Sequence, residues 1–196
     1  MTNRNANFLS EEQLRSLPFQ ALGDNVRVHE RVILMGIENI SLGSNVRIDA
    51  DCTLLASAGP VVIGSFVHLG QGCYLAGAGG ITIEDFAGLS QQVNLYSASD
   101  DYSGGGLANA TIPPEYLNLQ VAPILIERHA LIGAKTVVLP GTKVRQGAAI
   151  GALSLVRGET RSWAIYSGNP AKAVAPRRRD EILRREAALL ARKPTA

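Results

Sequence analysis

The stretch IERHALIGAKTVVLPGTKVRQGAAIGALSLVRGETR, residues 126–161, decides the fold. Divided every six residues, it opens on Ile126, Ile132, Val138, Val144, Ile150 and Val156, a branched apolar side chain each time. The fifth place holds Ala130, Thr136, Thr142, Ala148, Ser154 and Thr160, all small. A buried helix face repeats near every 3.6 residues and a half-buried strand every two, so a strict six with one large and one small inward position is neither alone. The period describes a coil of short strands joined by corners.

Moving toward the N-terminus, the same period has first places at Leu22, Val28 and Leu34, at Leu42, Ile48 and Leu54, at Ile63, Leu69 and Leu75, and at Ile83, Leu89 and Leu95. Three sextets make one group. The surplus residues between groups fall at 36–41, 57–60 and 77–80, where glycine supplies positive φ at a widened corner. A three-sided coil follows, each turn stacked on the last at the roughly 4.8 Å spacing of neighbouring strands. The sextets stop after Leu95 and resume at Ile126. The insertion between them, residues 98–122, is a loop of about 25 residues, a length that compact domains keep for function. It has no room inside the coil, so it projects outward, far enough to reach another subunit.

Ahead of the coil, Ser10-Glu11-Glu12-Gln13 is a capping box that predicts a short helix ending by Pro18. Behind it, a helix is expected over 179–192, with an apolar stripe of Leu183, Ala187, Leu190 and Ala191 that packs on the coil or on a neighbouring subunit. The organisation read from these signals is a tail and short helix at 1–21, a coil at 22–167 carrying the inserted loop, and a C-terminal segment with its helix at 168–196.

Composition fits a narrow, regular interior: 46% of the 196 residues are hydrophobic and only 5% aromatic, so Ile, Val, Leu and Ala must fill the core. Formal net charge is +2, too small to argue for nucleic acid. No apolar run is long enough to cross a membrane and no signal peptide opens the chain, so a cytoplasmic location is expected. Cys52 and Cys73 both occupy small inward places and read as buried thiols rather than a disulfide or metal pair. His29, His68 and His129 stand on distant coils, and no metal is expected. His129, at a corner, reads as solvent-exposed.

The repeat, together with Tyr166-Ser167-Gly168-Asn169-Pro170-Ala171-Lys172, resembles the hexapeptide-repeat acyltransferases, which are left-handed parallel β-helices. The likeness covers about Leu22 to Arg177 and is nearest in layout to the sugar O-acetyltransferases of the galactoside, maltose and polysaccharide type. The resemblance implies transfer of an acetyl group from acetyl-CoA to a carbohydrate hydroxyl, without a metal, at a site between subunits of a homotrimer. Surface polysaccharide or lipopolysaccharide biosynthesis is the expected setting. N-acetylation of a nucleotide-linked amino sugar is an alternative, and a non-catalytic β-helix scaffold is another; a fold alone does not decide among them.

A hydroxyl needs a base to take its proton and a donor to face the developing oxyanion. In the resembled family the base is a His within a stretch of the form Tyr-Ser-Ala-Thr-His-Asp-Tyr. Here the matching run is Tyr96-Ser97-Ala98-Ser99-Asp100-Asp101-Tyr102, and Asp100 takes the place of the His. Three readings stay open. Asp100 or Asp101 is the base, with its pKa lifted by the pair and by the subunit interface; His68, one coil below the loop, is the base; or the acceptor is an amine, or catalysis is mainly positioning, and no side-chain base is needed. The competing structural reading of the Asp pair is a turn-forming Asx motif beside a Gly run. For the donor, the resemblance places pantetheine against the small pairs Gly133-Ala134 and Gly151-Ala152, and phosphates near Arg157, Arg161, Lys172 and Arg177, with Arg157-Gly158 standing where the family has Thr-Lys. Tyr102 and Tyr116 on the loop are the groups expected to meet a saccharide.

Overall fold

The structure, a computed structural model, describes residues 7–192. A parallel solenoid forms three sheets that are the three faces of a prism. The first face carries Ile40–Leu42, Val61–Ile63, Ile81–Ile83 and Ile124–Ile126; the second carries Arg27–Val28, Arg47–Ile48, His68–Leu69, Gly88–Leu89, Leu131–Ile132 and Ala149–Ile150; the third carries Ile33–Met35, Thr53–Leu55, Tyr74–Ala76, Asn94–Tyr96, Val137–Val138 and Leu155–Val156. Coils one to six open at Leu22, Leu42, Ile63, Ile83, Ile126 and Val144.

Strand register stacks each sextet-opening residue on its equivalent. Leu42, Ile63, Ile83, Ile126 and Val144 are successive partners on the first face, and Leu34, Leu54, Leu75, Leu95, Val138 and Val156 on the third. From Leu42 onward these openers are at most 3% exposed. Each such side chain contributes about 1.5–3 kcal/mol by leaving water, which is why a chain poor in aromatic residues can hold this shape. The small fifth places lie between them. Where polar they are satisfied: Thr136 Oγ1 donates to the Gly151 carbonyl at 3.1 Å, and Ser154 Oγ to the same oxygen at 2.7 Å. Cys52 and Cys73 are free and buried, as expected.

The edge between the first and second faces is a ladder. Phe66 and Phe86 stack with centroids 4.7 Å apart, Phe86 meets His129 at 5.3 Å, and His129 meets Trp163 at 6.0 Å. All four residues hold positive φ, between 55° and 62°, a region costly for bulky side chains. The stack keeps them there. His129 is therefore at a corner, but it is only 6% exposed, against the expectation of a solvated turn residue. The reason is helix α2, Asp180–Leu190, whose Glu186 accepts from Arg128 and lies 2.8 Å from His129 Nε2. That docking also corrects the expected stripe. Ile182, Leu183 and Glu186 face the coil, while Ala187, Leu190 and Ala191 are exposed.

Helix α1, Glu11–Ser16, has the predicted capping box, with Ser10 and Gln13 bonded reciprocally, and ends just before Pro18. At the C-terminal end, Ala164–Ser167 extends the second face and Lys172–Pro176 returns antiparallel beside it.

The insertion leaves from the edge between the third and first faces, where earlier coils place their surplus residues. Ala98–Ser99 pairs antiparallel with Gln120–Val121, and the Leu107 N–H donates to the Tyr116 carbonyl at 2.9 Å. Ser97, fully buried, fixes its root: Oγ donates to the Ala76 carbonyl at 2.7 Å and accepts from the Gly79 N–H at 2.8 Å. The insertion is thus a built arm.

Candidate active site

Where the arm overhangs the third face, a cleft of about 700 Å³ opens, with Asp100 and Tyr102 on one side and Tyr96, Val137, Leu155 and Arg157 along the coil. The sextet pattern positions these wall residues. Val137 and Leu155 are the outward neighbours of the buried openers Val138 and Val156, so alternation along each short strand turns them to the outside.

The two carboxylates part company here. Asp101 is 7% exposed and accepts four hydrogen bonds: from the Ser103 backbone N–H at 2.7 Å, Ser103 Oγ at 2.6 Å, the Gly105 N–H at 2.8 Å and Asn118 Nδ2 at 2.8 Å. The Ser103 hydroxyl above all, then the Ser103 N–H and Asn118, hold its pKa down at about 2. Asp101 is an Asx-turn residue. The expectation that pairing lifts its pKa is corrected, because the donors that shape the turn stabilise its charged form. Asp100 is half-buried, lines the cleft, and takes one bond from the Asn109 backbone N–H at 3.2 Å.

His68 lies on the second face, on a different side of the prism from Asp100, with Nε2 2.8 Å from Asp49 Oδ2. Within one chain the structure does not bring it to the cleft. Tyr102, 94% exposed, stands at the cleft rim, whereas Tyr116, 59% exposed, sits farther along the arm and does not line the cleft.

Of the four candidate cations, Arg157 alone shares the cleft with Asp100. Arg161 borders a separate hollow of about 390 Å³ with Trp163 and Val174, beside the returning strand that carries the exposed Lys172. Arg177 is a correction. Its Nη1 donates to the carbonyls of His129 at 2.8 Å and Gly147 at 2.9 Å, and burial pushes its pKa down, so it fastens the chain end to the corner ladder instead of facing a phosphate. The small pairs also have a structural cause. A Cβ on Gly133 would stand 2.4 Å from the Ala152 nitrogen, so this glycine lets successive coils close, while Ala152 is exposed and Ala134 and Gly151 are half-buried at the second-to-third edge.

Sequence reading missed the apolar side of the third face, Tyr96, Val137, Leu139 and Leu155, together with Tyr74, whose ring is 5.7 Å from Tyr96. The signal was present: outward places of a solvated strand are polar, and these are not. Among the described residues, no three His, Cys, Asp or Glu side chains converge as a metal site requires. No helix among them is long and apolar enough to cross a membrane.

No protein-family profile matches the chain. It is 36% identical over 170 residues to a dTDP-4-amino-4,6-dideoxy-D-glucose acyltransferase of Escherichia coli, covering 87% of this chain and 88% of the relative. In structure it matches AntD, an N-acyltransferase from Bacillus cereus solved with dTDP and 3-hydroxybutyryl-CoA, at TM-score 0.90 and 34% identity over 95% of this chain and 97% of that one. A maltose O-acetyltransferase from Clostridium difficile 630, at 20% identity and TM-score 0.59 over 86% of this chain and 75% of that one, shares the fold. With the six-residue repeat, the arm and these relatives in agreement, the chain belongs to the hexapeptide-repeat sugar acyltransferases.

Proposed function

We propose that this enzyme transfers an acyl group from acyl-CoA, with acetyl-CoA the first candidate, to the amino group of a nucleotide-linked amino sugar. The observation that carries the reading is the carboxylate of Asp100 in the cleft, where the resembled O-acetyltransferases place an imidazole. A hydroxyl must lose its proton as it attacks, which asks for a base near neutral pKa; a neutral amine attacks with its own lone pair, and the ammonium formed in the tetrahedral adduct is acidic enough for a carboxylate to accept its proton. The amine nitrogen adds to the thioester carbonyl, the proton passes to Asp100, the C–S bond breaks, and CoA leaves as the thiolate that finally takes the proton. Asp100 is assigned as the base. The amino-sugar relatives support the same acceptor, so hydroxyl acetylation, the leading expectation from the sequence, gives way to its alternative.

On this reading the pantetheine lies against Val137 and Leu155, Ala134 and Ala152 face it from the adjoining edge, and Arg157 meets a donor phosphate. Tyr102 and Tyr96 bound the acceptor sugar. The exposed third face calls for a second copy, and a homotrimer with shared clefts is the assembly we assign, working in the cytoplasm on a surface-polysaccharide precursor. The test is product analysis with acetyl-CoA and dTDP-4-amino-4,6-dideoxyglucose, alongside calorimetry with CoA. An amide product with stoichiometric thiol release is the expected result. Absence of CoA binding would return the chain to the scaffold reading.

A further inference from the structure

The third face continues below the cleft, and its outward places mix apolar Ile33, Met35, Leu55 and Tyr74 with Thr53 and Asn94. Ile33 is 56% exposed and Met35 51% exposed, with Tyr74 above them. Large apolar side chains left this exposed on one face of a prism mark a contact surface. Two edges of the prism are already occupied: α2 covers the edge between the first and second faces, and the arm leaves from the edge between the third and first. The remaining edge, between the second and third faces, is polar on its lower coils, where Asp51 accepts from Arg31 and Gln71, and exposes Leu153, 70% exposed, on the sixth coil; Leu131, 45% exposed, points outward from the second face one coil below. Copies related by rotation about an axis along that edge meet head to tail, the third face of one against the second face of the next. Such a rotation leaves height along the prism unchanged, so each coil faces its own equivalent in the neighbour.

What the second face presents on its lower coils is a ladder of basic side chains. Arg27, Arg47 and His68 are successive register partners. The Arg27 and Arg47 guanidinium groups lie 4.3 Å and 5.5 Å from the Phe8 ring. Arg47 Nε donates to Asp49 Oδ1 at 2.7 Å, and His68 Nε2 is 2.8 Å from Asp49 Oδ2, so one carboxylate, 19% exposed, holds two half-exposed basic groups side by side. On the next coil Gly88 leaves a step beside His68. Asp100 follows the fourth coil, and coils two and three lie one to two strand spacings below it, roughly 5–10 Å. That is the reach from an amino group on a hexose ring to a diphosphate on its anomeric oxygen.

We propose that Arg47 and His68 of one copy bind the diphosphate of a nucleotide-linked acceptor held in the cleft of the next copy, with Asp49 orienting both. The inference rests on the acceptor class assigned above. The planar guanidinium suits phosphate oxygens, and its fixing by Asp49 and Phe8 lowers the ordering cost of each bond. Arg157 serves the donor at the opposite end of the cleft, so two anionic substrates enter from opposite directions and meet at Asp100. His68 is thereby a binding residue, not the base.

Calorimetric titration of the intact protein with dTDP and, separately, with CoA tests this directly. Arg47→Ala and His68→Gln should each weaken dTDP binding about tenfold or more while CoA affinity stays unchanged, and the KM for the amino-sugar nucleotide should rise by the same factor with kcat little altered. Unchanged dTDP affinity in both variants overturns the proposal. Should the native protein bind CoA but not dTDP, the acceptor class itself fails, a distinguishable result. Arg47→Lys, which keeps the charge, guards against misfolding and should retain intermediate affinity. Co-expressing Asp100→Asn chains with Arg47→Ala chains should give mixed assemblies more active at low acceptor concentration than either variant alone, since some clefts then join an intact Asp100 to an intact neighbouring Arg47. No recovery in such mixtures would place both residues in one chain's site and contradict the shared cleft.

Discussion

Asp100 and Asp101 are adjacent in sequence and differ sharply in surroundings. The difference is made by four donors, Ser103 twice, Gly105 and Asn118, gathered around one carboxylate and not the other. Replacing Asp100 by Asn should lower kcat by about 10²-fold or more, the contribution expected of a positioned base, with the thermal midpoint nearly unchanged. Asp101→Asn should instead loosen the arm, detectable as faster proteolysis between residues 102 and 118, because two of its N–H donors lose a charged acceptor. The pH dependence follows in sign. Asp101 has a folded pKa depressed to about 2, so its stabilisation of the arm is complete above the ordinary aspartate value near ~3.9 and disappears as pH falls toward 2. Arm protection measured by hydrogen exchange should decline across that acid window and not between pH 5 and 8. Sequence alone shows that Asp100 departs from the family's His. It could not show which aspartate is free, because that depends on Asn118, which the arm brings back from 17 residues away.

The strands were legible because their physics is local: one inward opener and one small residue per sextet specify each side of the prism, and register follows from stacking like on like. Leu75→Ala, at a fully buried opener, should cost about 2–5 kcal/mol, read as a fall in the denaturation midpoint. Helix α2 was legible as a helix and not as a docking mode. Its apolar stripe pointed to one face, but the buried link to the coil is polar, through Glu186 to Arg128 and His129, and such contacts between residues 57 and 58 apart leave no periodic trace. Burial works to raise the Glu186 pKa, and hydrogen bonds from Arg128 and His129 outweigh it and hold the carboxyl down. Glu186→Ala should therefore destabilise the helix's seat by about 1–3 kcal/mol, seen as earlier cleavage of the C-terminal segment with the solenoid's own unfolding little changed. Arg177 was misread for a related reason. A basic residue after the last coil resembles a phosphate ligand until its guanidinium is found bonded to two backbone carbonyls.

At the scale of the whole molecule, the prism has one edge covered by a helix, one bearing an arm and one that ends on the exposed Leu153, and the proposed assembly uses the last. Sedimentation should find a trimer, and Leu153→Arg should shift it toward monomer with the cleft chemistry lost. The largely apolar outward side of the third face was unread in the sequence because it uses the places between openers; on the proposed assembly it would tie oligomerisation to activity. The most direct measurement of the central claim compares two acceptors that differ only at the reacting atom, a nucleotide-linked 4-amino sugar and its 4-hydroxy counterpart, by kcat/KM with acetyl-CoA. A carboxylate base predicts that the amine is preferred by at least about 10²-fold and that Asp100→Asn removes most of that turnover. Comparable rates on both acceptors, or a preference for the hydroxyl, would contradict it.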